Sequence, residues 1–185
     1  MRRALGYLAG AGLLALAAGV ALSTPHDDII ESPIPVRPAI GEPAAFGALA
    51  LTVHEVSLSR VVELDVTRLT TAGVWLVAEV TVEGTTERTG VYVDVLIDGR
   101  RYPASGRADG TADETVVDAD FPVTGAVLVE LPADVQDLPG ARTAVLRFSP
   151  RTDARLDAVI EVVVDLTALE IGDDLEVEAA REGER

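Results

Sequence analysis

Cysteine and lysine are absent from this 185-residue chain, histidine occurs twice, and only seven residues are aromatic. Without Cys there is no disulfide, thiolate zinc site, thiol nucleophile or acylated lipoprotein cysteine. Two His are too few for a His-rich metal site. The bases are all Arg, 15 of them against 31 acids, for a net charge of −16. That balance argues against a nucleic-acid binder, which needs a basic surface to neutralise phosphate. Lys codons are AT-rich, so their absence points to a high-GC genome and agrees with an actinobacterial source.

What the chain has in plenty is Ala, Val and Leu, and the first block of them is uncharged from Ala4 to Leu22, behind Arg2 and Arg3. At ~1.5 Å per residue, a helix of that length matches a ~30 Å hydrocarbon core. A cleaved signal peptide needs a shorter apolar run and a small-x-small site, for which Ala21-Leu22-Ser23 and Gly19-Val20-Ala21 qualify. The longer run favours a retained signal-anchor over residues 1–23. The Arg pair then holds the N-terminus in the cytoplasm and everything that follows is extracytoplasmic. Secretion after cleavage is the alternative.

Residues 24–45 read as a spacer. Between Ser32 and Pro43 the sequence SPIPVRPAIGEP places four Pro in twelve residues, which forbids a helix and favours extended backbone. Such a segment lifts a domain off a membrane.

Residues 46–169 read as short strands. Leu49, Leu51 and Val53 alternate with Ala50 and Thr52, and Val56 and Leu58 resume one residue out of phase, predicting a bulge near His54-Glu55. Val74, Leu76, Ala78, Val80 and Val82 share one face of a strand, while Trp75 and Val77 make its first half apolar on both faces, as in a central strand. Val91, Val93, Val95 and Ile97 align before Asp98-Gly99, a hairpin turn into Arg100–Tyr102. Ala126–Leu131, Thr143–Phe148 and the alternation Ala158, Ile160, Val162, Val164 and Leu166 complete about seven to eight strands without an intervening helix. The fold expected is an all-β antiparallel sandwich. Its core should include Trp75, Val77, Val93, Val95, Leu128, Leu146 and Ile160, with Trp75 between the sheets.

The strand Gly73–Val82, the segment Leu96-Ile97-Asp98-Gly99-Arg100-Arg101-Tyr102, the strand Gly125–Ala133 ending in Leu131-Pro132, and Asp157–Leu166 together resemble a family. It is the immunoglobulin-like domain of unknown function found in exported, membrane-anchored or lipoprotein bacterial proteins, related in fold to a mycobacterial immunoprotective extracellular antigen. The resemblance covers about residues 46–168 and implies an immunoglobulin-like sandwich. The sequence departs from the family in lacking the lipoprotein Cys and in carrying Glu83-Gly84 where the family often has Asn. The family supplies no catalytic residues.

An enzyme is not expected. A Ser-His-Asp arrangement has only His54 to use, because His26 lies in the spacer. Ser57 and Ser59 are near it in sequence, but in a strand that lacks the glycine pattern of a nucleophile elbow. Asp109, Asp113, Glu114, Asp118 and Asp120 fall within twelve residues and are the candidate ligands for calcium. Their spacing is not that of an EF-hand, and a solvated acidic loop is the plainer reading. Residues 170–185 carry seven acids against two Arg and are expected to form a flexible acidic tail.

Two functions follow from this reading. The first is a membrane-tethered module of the cell envelope, contacting the membrane through residues 4–22 and an unidentified envelope protein through its sandwich. The second is an exported protein that binds calcium or a cell-wall polymer. Beyond Ser23 the chain holds 31 acids and 13 Arg, and self-repulsion should keep that part monomeric.

Overall fold

In the computed structural model, residues 12–14, 16, 17, 19, 32–86, 88–119, 121–153 and 157–183 are described. The chain divides into two units, 1–32 and 33–185. In the first, residues 12–14, 16, 17 and 19 are helical. Among the described residues no helix is long and apolar enough to cross a membrane; most of the expected span 4–22 lies outside them.

The second unit is all β. Its strands are β1 (Ile34–Val36), β2 (Ala44–Phe46), β3 (Leu49–Leu64), β4 (Thr67–Gly84), β5 (Thr89–Gly90), β6 (Tyr92–Ile97), β7 (Arg100–Pro103), β8 (Val116–Val117), β9 (Val123–Leu131), β10 (Ala144–Ser149), β11 (Ala158–Val164), β12 (Ile171–Gly172), β13 (Leu175–Val177) and β14 (Arg181–Glu182). One sheet has the order β1-β11-β10-β6-β7. The other runs β12-β3-β4-β9-β14, with β2 and β13 also on β3, and β5 and β8 form a small ribbon. The alternations read from the sequence meet between the two large sheets. Val74, Leu76, Ala78, Val80 and Val82 of β4 join Val93, Val95 and Ile97 of β6, Leu146 and Phe148 of β10, and Ile160, Val162 and Val164 of β11 in one core.

Local signals hold where backbone geometry is decisive. The β3–β4 register shifts between Val53 and Glu55, at the expected bulge. Asp98 and Gly99 both have positive φ, 49° and 75°, and Ile97 pairs with Arg100 across them. These are the angles of a two-residue turn that matches strand twist.

Three expectations are corrected. The sandwich begins at Pro33 instead of residue 46. Extended backbone imposed by the prolines lets β1 lie parallel to β11, and Arg37 ties it down by donating to Glu161 Oε2 at 3.1 and 3.0 Å. The segment 33–45 is therefore part of the domain and not a spacer.

Trp75 is fully buried, but not between the sheets. It belongs to a second core on the outer face of the β3-β4-β9 sheet, with Val62, Leu64, Leu69, Val77, Ala108, Ala126, Leu128 and Val177. A strand residue whose neighbours point into the first core points the other way, and something must cover it.

The cover is the expected tail. Residues 171–182 are not a free acidic segment. β12 and β13 run parallel to β3 along one edge of the sheet. The chain then crosses the face, buries Val177 and pairs β14 antiparallel with β9 at the other edge. Leu175 and Val177 pack inward while Glu176 and Glu178 stay exposed. This is the two-residue alternation of a strand, diluted by so many acids that the composition reads as disorder. Gly125 admits the crossing, since a Cβ there would stand 2.7 Å from Ala180 Cα.

Candidate functional site

Residues 104–122 leave the edge of one sheet and return to the other. Ala104 bridges to Val129 and Ser105 N donates to Leu128 O at 2.8 Å. Ala108, Thr111, Ala112 and Val117 are buried, so the segment is anchored from within. Val116 and Phe121 face outward, 47 and 58% exposed. An antiparallel bridge between Asp118 and Phe121 holds the bend, and Phe121 N donates to Asp118 O at 3.4 Å. Val116, Asp118, Phe121, Val123 and Glu182 line one cleft of about 190 Å³.

This is the segment that carries the expected calcium ligands. Asp109 is exposed in a turn, and Asp113 is half-buried in a short 3-10 turn over Ala112–Glu114. Asp118 is exposed and lies 3.9 Å from the Arg88 guanidinium. Asp120 and the Glu114 side chain lie outside the described residues. Among the described residues no three acidic or His side chains gather as a metal site. A turn, a 3-10 turn and an isolated bridge carry the described carboxylates on separate local structures, which linear spacing does not register.

His54 is exposed on β3, with Nε2 2.8 Å from Thr81 Oγ1, which in turn is 2.9 Å from Thr124 Oγ1. Ser59 is buried, and its hydroxyl donates to Val61 O at 2.7 Å.

The most enclosed charge is on the opposite sheet, and the sequence offered no signal for it. Asp94 has a side chain only 3% exposed. It accepts from Arg101 Nε at 2.8 Å and Arg147 Nη2 at 3.1 Å. Arg147 stands opposite Asp94 on β6 and opposite Glu161 on β11. Arg37, just after β1, then Glu161, Arg147, Asp94 and Arg101 on β11, β10, β6 and β7 therefore alternate in sign across the sheet. Asp94 takes a guanidinium from each neighbouring strand, and such charge-assisted hydrogen bonds are stronger than neutral ones. These pairs tie neighbouring strands of the sheet together.

No family model and no curated protein matches the chain. Among solved structures, an uncharacterized beta-sandwich protein from Clostridium difficile 630 is 15% identical, with 72% of this chain and 97% of that one covered and a TM-score of 0.49. The yjhA protein from Bacillus subtilis is 19% identical, with 69% and 98% covered and a TM-score of 0.47.

Proposed function

We propose that the chain is a non-enzymatic, membrane-tethered, extracytoplasmic module of the immunoglobulin-like type that makes protein–protein contacts at the cell envelope. The observation that carries this reading is the exposed pair Val116 and Phe121, displayed on a loop anchored to a packed sandwich. Rigid scaffolds that present apolar groups on loops are built for recognition. The polar groups that chemistry would need are engaged elsewhere: His54 with Thr81, Ser59 with Val61 O, Asp94 with two Arg. The uncharged run Ala4–Leu22 behind Arg2-Arg3 supports the tether. The resemblance of residues 46–168 to exported immunoglobulin-like domains supports the compartment, and the net charge supports a monomer.

The test is made on native membranes. Full-length protein should stay in the membrane after an alkaline carbonate wash, and an impermeant protease should release the β domain from the outer side. A protein recovered from the medium with its N-terminus at Leu22 or Thr24 would refute the tether.

A further inference from the structure

Resting on the interaction reading above, we propose that the Val116–Phe121 tip docks a basic segment of an envelope partner. That segment presents one aliphatic or aromatic side chain flanked by Arg or Lys. Of the three Phe in the chain, Phe148 is fully buried, Phe46 half-buried, and only Phe121 is turned out. An exposed aromatic beside an exposed aliphatic group is the usual make-up of a binding anchor. Val123, 3% exposed, contributes to the cleft from β9. Backbone fixes the cleft: Glu182 pairs with Val123, and Gly183 N donates to Pro122 O at 2.7 Å. With a volume of about 190 Å³, it fits one side chain and not a helix or a lipid tail.

Charge decides what surrounds that side chain. Asp118 and Glu182 rim the cleft and are both exposed. Among the described residues the cation that approaches the rim is Arg88, 3.9 Å from Asp118, and a contact that long in water is weak. Val116 and Phe121 beside Asp118 and Glu182 select an apolar side chain between cations, and the net charge of −16 steers such a segment inward. A second copy of the chain is a poor occupant. It carries the same net charge of −16, so two copies repel.

The test uses full-length protein in nanodiscs and short labelled peptides with a central Leu between Arg pairs, read by fluorescence polarisation. Binding should fall about tenfold with Phe121→Ser, as for an interface anchor, and similarly when the peptide's Leu becomes Gly. It should weaken, and lose salt dependence, with Asp118→Asn plus Glu182→Gln. Equal binding by wild type and Phe121→Ser, or by the Leu and Gly peptides, overturns the proposal, as does self-association that Phe121→Ser abolishes. A photo-crosslinking residue at position 121 or, as a distant control, at the fully exposed position 66 separates the two claims in cells. Crosslinks from 66 and not 121 refute this docking point and keep the interaction module, whereas none from either removes both.

Discussion

The Arg107 guanidinium carbon lies 5.5 Å from the centroid of the Trp75 ring, and the same side chain pairs with Glu130, the residue opposite Trp75 on β9. A cation over an indole face is attracted by the ring quadrupole, and here it also roofs a Trp that points away from the main core. Replacing Trp75 by Ala should therefore cost about 3–5 kcal/mol, as for other large buried aromatics. Urea unfolding checks this, and a loss below about 1 kcal/mol would contradict the burial.

The chain has one Trp, so its fluorescence reports on the cover. Truncation after Leu169 removes Leu175 and Val177 from the second core. Emission should shift to the red and stability should fall. Val177→Asp should do the same by placing a charge against apolar neighbours. Gly125→Val should lift the strand crossing at Ala180 and speed amide exchange in β14. Unchanged emission in the truncated protein would mean that Trp75 does not depend on the C-terminal strands.

Arg68 joins the C-terminal strap, residues 171–182, to the β3–β4 hairpin it lies along, pairing with Asp174 at 2.8 Å and with Glu63. The nearby Asp174 charge, chiefly, raises the Arg68 pKa above its ordinary value, so the cation persists at every accessible pH. The groups are well exposed and the pairing is screened by salt. Arg68→Ala should speed exchange at β13 at low ionic strength, and the difference from wild type should shrink at high salt.

Removing the Asp94 carboxylate leaves Arg147, 18% exposed, without its partner on β6. Breaking an enclosed pair from one side strands the other charge. Asp94→Ala should destabilise by about 2–3 kcal/mol, less than a fully buried pair because Arg101 reaches water. Equilibrium denaturation reads this out.

Asp165 caps the 3-10 turn Leu166–Ala168, accepting from the Thr167 hydroxyl at 2.6 Å and the Thr167 N–H at 2.9 Å. These bonds, the hydroxyl first, lower its pKa below the ordinary 3.8. A lowered folded pKa means that the contribution is complete above the unfolded value and disappears as pH falls through the folded one. Asp165→Asn should therefore differ from wild type at neutral pH and converge with it in the acid limb. A difference that grows on acidification would reverse the sign.

The alternations of Val74–Val82, Val91–Ile97 and Ala158–Leu166, the bulge at His54 and the Asp98-Gly99 turn were all legible in the chain. A period of two and a positive-φ turn are local properties, set by side-chain geometry within a few residues. From them followed an all-β sandwich and most of its core. Long-range partnership has no local signature. Residues 60–73 carry charges among their apolar positions, yet they extend β3 and β4 into one long hairpin, because Val62, Leu64 and Leu69 face the second core. The prolines of 33–43 declared extended backbone without saying that β11 would receive it. The acids of 170–182 concealed a strap whose few apolar residues suffice once both sheet edges offer free backbone groups. Only the tertiary structure decided that Trp75 looks outward, that Asp94 is enclosed by two Arg from neighbouring strands, and that a loop chosen for its carboxylates displays Phe121 instead. Burial is a property of what lies across from a residue, and in a sandwich that neighbour comes from a distant part of the chain.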